Sequence, residues 1–329
     1  GTSNTNFTGT YDGNGYTIHG LQITSTGNYQ GLFGYSAGTL KNIVLDDVNI
    51  SGRGYTGGVV GYSTGTVTGC SVSGSVSGTD SVGGIVGYGA ASLCRNDATV
   101  SGTSSVGGVV GYMTGTISNA YNTGAVSGGS SVGGIAGYAY TYSSSSSYTI
   151  YVSNSYSTGN VSGSSSVGGI LGNRRYDNTY VSYCYYLADG VPGATNSYGA
   201  ATSEDQLRLR GTYERWDFTN VWTMAGSADY DYAELRCLSP DEYTETEPEV
   251  DSEGRILVKT KYDLYNVSAK PSASYVQMAD IEFTAADFLE GGDFYNAGRG
   301  WNPIGTSNTN FTGTYDGNGY TIHGLQILS

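Results

Sequence analysis

Charge is what this chain has least of. Only 13% of its 329 residues are Asp, Glu, Lys or Arg, and none falls between Ala98 and Asn173. Glycosidases need two positioned carboxylates, and lyases need an acid–base pair. The uncharged stretch excludes both from its own faces. Elsewhere the early charges are scattered: Lys41, Asp46, Asp47, Arg53, Asp80, Arg95 and Asp97. Asp80, Arg95 and Asp97 are expected to form at most a solvated ion group. The net charge of −14 and pI near 4.3 argue against nucleic acid and against anionic lipid as partners. No apolar run approaches the ~20 residues of a membrane span. The two histidines, His19 and His323, lack a nucleophile partner and read as structural. The four cysteines form no Cys-x-x-Cys pair, so no zinc site is expected. The expectation is a non-enzyme with no cofactor and no metal.

Proline is also scarce, at five residues, whereas glycine (53) and tyrosine (31) are abundant. Disorder favours high charge and few aromatics, so this chain should fold. Ser, Thr, Val, Tyr and Gly suit short strands joined by tight turns.

Residues 1–23, GTSNTNFTGTYDGNGYTIHGLQI, recur letter for letter at 305–327, an offset of 304 residues. This reads as one repeat unit cut in mid-repeat, with the start of the next copy attached. Identity stops at once afterwards, at Thr24 against Leu328.

A shorter period lies inside. Gly-apolar-apolar-Gly-Tyr begins at Gly31, Gly58, Gly84, Gly108 and Gly134, and a last copy from Gly169 ends in Asn173. The spacings are 27, 26, 24, 26 and 35 residues, which mark a solenoid. Three short strands per turn imply an all-β, right-handed parallel β-helix with a C-terminal capping segment. Coils would span 1–202, a terminal cap 203–239, an acidic linker 240–254, and the start of the next unit 255–329.

Stacking turns equivalent positions into ladders. Counting back six residues from each Val-Ser-Gly aligns Cys70, Cys94, Ala120 and Ser155, and pattern matching adds Ile43 and Cys184, small or apolar residues that should point inward. Cys70 and Cys94 are then neighbours on adjacent rungs. Parallel Cβ atoms about 4.8 Å apart favour free thiols over a disulfide. Tyr35, Tyr62, Tyr88, Tyr112 and Tyr138 should form an aromatic ladder, and Tyr121 and Tyr156 another. These rings either stabilise the rod or offer a surface for sugars and neighbouring rods. Asp12-Gly13-Asn14-Gly15 and Asp316-Gly317-Asn318-Gly319 offer one carboxylate each, too few for calcium, and read as turns. Ordered Ser/Thr rows could suit an ice-binding face, but the insert at 139–150 would interrupt it. Asn6, Asn49, Asn160, Asn266 and Asn310 head glycosylation sequons.

The Gly-apolar-apolar-Gly copies, with Asn119-Ala120-Tyr121-Asn122-Thr123-Gly124 and Asn154-Ser155-Tyr156-Ser157-Thr158-Gly159, resemble the GLUG repeats of bacterial and archaeal surface proteins. Trp301-Asn302-Pro303-Ile304-Gly305 and Phe311 through Ile322 resemble the segment that precedes such arrays. Trp216-Asp217-Phe218 and Val221-Trp222 resemble the one that closes them. The resemblance covers nearly all of the chain outside 240–254. It implies a secreted, adhesin-like β-helix of the pectin-lyase type, without shared catalytic residues. The expected function is an extracellular fibre or tandem-repeat surface protein giving cohesion and adhesion at the cell surface. Its partners would be copies of itself, joined head to tail, and glycans or a neighbouring surface. The alternative is a single non-catalytic glycan-binding domain.

Overall fold

The computed structural model describes residues 5–145, 148–208, 212–218, 220–224, 232–238, 249–288, 294, 300–305 and 310–327. The chain divides into two compact units. The first comprises 1–202, 215–222 and 235–239, and the second 203–214, 223–234 and 240–329.

The first unit is a parallel β-helix. The Gly-apolar-apolar-Gly copies place six strands in one parallel sheet: Phe33–Ser36, Val60–Ser63, Val86–Gly89, Val110–Met113, Ala136–Ala139 and Leu171–Arg174. A second face stacks Thr10–Asp12, Thr39–Lys41, Thr66–Thr68, Ser92–Asn96, Ile117–Asn122, Ile150–Ser157, Thr179–Leu187 and Ala200–Thr202. Eight strands at ~4.8 Å spacing give a rod about 34 Å long. A third face runs through Gly54–Gly57, Asp80–Gly83, Ser104–Gly107, Val126–Gly133 and Val161–Gly168.

The corners are set by local backbone. The residue before each inward ladder position has positive φ: Asn42 (53°), Gly69 (65°), Leu93 (53°), Asn119 (51°), Asn154 (47°) and Tyr183 (52°). Asn and Gly enter this region at little cost, and Leu and Tyr do not. A second corner repeats the device at Tyr55, Ser81, Ser105, Ser131 and Ser166. Turning the chain there aims the next side chain into the core.

The core is a column of Val, Ile and Leu at nearly zero exposure, such as Val76, Val100, Val126 and Val59, Ile85, Val109, Ile135, Ile170. Each buried side chain contributes roughly 1.5–3 kcal/mol. The ladder Ile43–Cys70–Cys94–Ala120–Ser155–Cys184 lies in this column, at 3% exposure or less. Its register is continuous: Ser71 N–H donates to Ile43 O, Arg95 N–H to Cys70 O, Cys94 faces Ala120, and Ser155 faces Cys184. All three ladder cysteines are free and buried, and Cys237 is free and exposed.

Two positions further along each rung runs a polar ladder. Asn96 Nδ2 donates to Asn122 Oδ1 at 2.7 Å, and Asn122 Nδ2 to Ser157 Oγ at 3.2 Å. The same amides satisfy Ala98 O and Gly124 O within their own turns. Below Asn96 the rung holds Val72, and Asn96 Oδ1 finds no donor among the described residues.

Within the segment expected to cap the last coil, Trp216 and Trp222 lie against the flank of the fifth to seventh rungs. Tyr121, Tyr156 and Tyr185 point outward in register, and Trp216 and Trp222 lie over them with ring centroids 6.0–6.2 Å away. Trp222 Nε1 donates to Asn119 Oδ1, and Trp216 Nε1 to Tyr183 O. Arg236 ties the segment through Phe218 O and Trp222 O. Trp222 is fully buried by this packing.

In the second unit Ile256–Val258, Ser274–Gln277 and Thr314–Asp316 form a parallel sheet, and Ile281–Glu282 pairs with Ile322–His323. Short helices occur at Glu204–Leu207 and Lys261–Asn266, each opened by a capping box. Val258, Leu264, Val267, Tyr275, Ile281, Phe283, Phe288 and Trp301 make its core. Of the sequence linker, 240–248 lies outside the described residues.

Candidate functional site

The tyrosine of each Gly-apolar-apolar-Gly copy stands at the same register on one sheet. Tyr35 faces Tyr62, which faces Tyr88, then Tyr112, then Tyr138, and the last partner is Asn173. Alternation along each strand turns the flanking residues inward and the tyrosine outward, where it is half-buried by its neighbours. Successive centroids are 4.6, 4.1, 5.2 and 5.3 Å apart, the first three pairs stacked and the last tilted. Such pairs add about 0.5–1.5 kcal/mol each beyond area burial.

The stripe is wider than sequence spacing alone indicates. Tyr29 and Tyr55 stack on each other at 5.3 Å and set their edges against Tyr62 and Tyr88. At the far end Tyr140 joins Tyr112, Tyr142 meets Tyr140 edge-on, and Arg175 lies 4.6 Å above the Tyr140 ring. Tyr142 is 68% exposed. Burial among neighbouring rings pushes the Tyr62, Tyr88 and Tyr112 hydroxyls up from the usual phenol range. The tyrosine row is therefore neutral at ordinary pH, aromatic and studded with hydroxyls, with the Arg175 guanidinium at its far end. Tyr29 and Tyr55 fall outside the five-residue motif, and only their stacking with the main row joins them to it.

Tyr121 and Tyr156 stack at 5.1 Å and 5°, but the tryptophan segment covers them. They are interior residues, so the packing reading applies to this pair and no surface role is left to them.

Several of the early carboxylates are engaged elsewhere. Asp46 accepts from Ser73 at 2.6 Å and pairs with His19 Nδ1 at 3.0 Å. Asp97 pairs with Arg95 and accepts from Thr123. Asp80 is not part of that pair: it accepts from Ser104 on the third face, because its rung position belongs to a different strand. Asp12 pairs with Lys41 at 3.0 Å and accepts from Asn14 N–H and Asn42 Nδ2, which closes the turn. Asp316 accepts from Asn318 N–H in the same way. Among the described residues no three His, Cys, Asp or Glu side chains could hold a metal.

Of the sequons, Asn49, Asn160 and Asn310 are exposed, whereas Asn6 and Asn266 are half-buried. Asn49 accepts from Ser75 of the next rung. Among the described residues no helix is long and apolar enough to cross a membrane.

No protein-family model matches the chain. Over 84 residues, a quarter of its length, it is 39% identical to halomucin of Haloquadratum walsbyi. That stretch is 1% of halomucin's length. Among solved structures it is similar to a candidate immunoglobulin A1 protease from Bacteroides ovatus. The TM-score is 0.53 at 24% identity, over 69% of this chain and 76% of the other. At that identity the likeness shows the fold alone.

Proposed function

We propose that this chain is a structural β-helical rod of an extracellular or cell-surface layer, repeated in series to give reach, cohesion and adhesion. The duplication of 1–23 at 305–327 carries the reading, since both copies form rungs of a parallel stack. The likeness to halomucin supports a surface or secreted location. The uncharged coil faces and the hydrogen-bonded, paired carboxylates favour a mechanical role over a catalytic one. The neutral tyrosine face is the surface that would meet glycans or neighbouring rods laterally, stacking rings on sugar faces or on one another.

Immunolabelling of intact source cells, with negative-stain microscopy of surface material, tests the role. The expected result is surface label and thin rods with a regular axial repeat. Label confined to the cell interior would overturn it. A second test titrates the full chain with soluble polysaccharides, following tyrosine fluorescence. A saturable change that Tyr88→Ala and Tyr142→Ala abolish would assign adhesion to the tyrosine face.

A further inference from the structure

The two copies of the 23-residue segment use opposite edges. In the first copy Thr10, Tyr11 and Asp12 pair forward with Thr39, Leu40 and Lys41, and Ile18 and His19 pair forward with Leu45 and Asp46. In the second copy the same residues pair backward. Thr314, Tyr315 and Asp316 face Ser274, Tyr275 and Val276, and Ile322 and His323 face Ile281 and Glu282. Among the described residues, no strand pairs with the backward edge of the first copy or the forward edge of the second.

The glycines carry both constraints. A Cβ on Gly313 would run into Ala273 O, whereas on its twin Gly9 it would meet only the Phe7 ring, at 3.4 Å. A Cβ on Gly13 would run into Asn42 O, whereas its twin Gly317 has nothing within 4 Å. Gly20 is open, and its twin Gly324 abuts Phe283 O. Along the rod the Gly9 position recurs: Gly38 sits over Gly9 O, Gly65 over Gly38 O, and Gly159 over Gly124 O. Gly9 is thus shaped for a rung beneath it that only the second copy possesses.

The charges agree. Asp316 pairs with Arg255 on the backward side, and Asp12 pairs with Lys41 on the forward side. His323 lies opposite Glu282, and His19 bonds Asp46. One segment between both neighbours would set its Asp between two cations and its His between two carboxylates. Its apolar side chains would likewise be enclosed. Ile18 would join a continuous Ile281–Ile18–Leu45 column, and Tyr11, 37% exposed in the first copy, would lie between Tyr275 and Leu40. Direct stacking of one copy on the other would instead set Asp on Asp and His on His.

We propose that the open edge of residues 7–24 is a docking site for residues 255–283 of a second copy of this chain. That segment is the starter of the following rod, and the 23-residue coil is the joint. The inference rests on the serial reading above and names its interface. Backbone bonds already seen in the second copy define it. Thr312, Gly313 and Thr314 amides donate to Pro271 and Ala273 carbonyls, and Ile281 and Phe283 amides donate to Thr321 and His323 carbonyls.

Analytical ultracentrifugation of the full chain tests it. Gly313→Val displaces the chain's own second copy and vacates the 273–283 edge. Gly9→Val blocks the receiving edge. Gly313→Val is expected to form concentration-dependent oligomers that elongate as rods, and the double variant is expected to sediment as a monomer. Equal association of the two overturns the proposal. A second measurement guards against local unfolding in Gly313→Val: amide exchange by NMR of isotope-labelled wild-type chain, whose receiving edge is open, on addition of unlabelled Gly313→Val chain. Thr8, Gly9 and Thr10 amides of the wild-type chain should slow at least ~10-fold as that chain is added, as pairing would require. Exchange there that is independent of the added chain overturns the proposal. Serial rods on cells that tolerate Gly9→Val would keep the surface role and reject this joint. Unlabelled cells with Gly9-dependent association would do the reverse.

Discussion

Asn122→Ala probes the internal polar ladder most directly. The Asn122 side chain is fully buried and takes part in three hydrogen bonds: with Asn96 at 2.7 Å, Gly124 O at 2.8 Å and Ser157 at 3.2 Å. Each is worth about 0.5–1.5 kcal/mol net, so the loss should be about 3 kcal/mol. Gly124 O would lose its side-chain donor in a place water does not easily reach, which pushes the cost upward. For a unit of this size that is a fall in Tm of about 6–12 °C. Differential scanning calorimetry and urea titration should both show it, with Asn49→Ala as the exposed control. Asn122→Ser, which keeps a hydroxyl on the rung, should lose about half as much. If Asn122→Ala costs no more than the control, the ladder is replaceable by solvent and the reasoning fails. An unchanged m-value is also required, since a rod that frays rung by rung would change it.

Other outcomes follow from the same geometry. Leu93 holds a positive φ of 53° where four other rungs carry Asn or Gly, so Leu93→Asn should raise stability by about 1 kcal/mol; a lower Tm would refute this. Burial pushes the Cys94 thiol up, and that of Cys184 to about 12; Cys70 is lowered by its hydrogen bond with Cys94 but is fully buried, so a thiol reagent should titrate one cysteine of four, Cys237, in the folded chain. Rapid reaction of two or more before unfolding would contradict this placement. The Tyr62, Tyr88 and Tyr112 hydroxyls are raised in the folded state, so the unfolded chain ionises first. Their contribution is complete below about pH 10 and is lost as pH rises beyond it. Melting temperature against pH should therefore bend downward above pH ~10, less so in Tyr88→Phe.

Much of the rod is legible in the sequence because its signals are local and repeated. Gly-apolar-apolar-Gly-Tyr returns once per coil, and the structure stacks each copy on the last. Counting back from Val-Ser-Gly aligned Cys94 with Ala120, since strand length is constant across that stretch, and pattern matching added Cys184 beside Ser155. The Asn96–Asn122–Ser157 ladder sits two residues past the same positions and could have been found by the same counting. The flank packing could not. Trp222 meets Asn119 across 103 residues, and no period links them. The paired edges were hidden for a different reason. Identical letters at 1–23 and 305–327 say that two segments share a shape, but not that each displays a different side of it.

The tryptophan segment changes how the rod would carry load. Hydrogen bonds between rungs lie along the rod axis, so tension applied along that axis opens them one after another, like a zipper. Trp216 and Trp222 lie across the outward tyrosines of three successive rungs, with indole bonds to Asn119 and Tyr183. To peel the Tyr185 rung, a pulling force must also strip the indoles from the two rungs beside it. The segment is a stitch sewn across the seam: it turns resistance in series into resistance shared in parallel at the end where the rod stops.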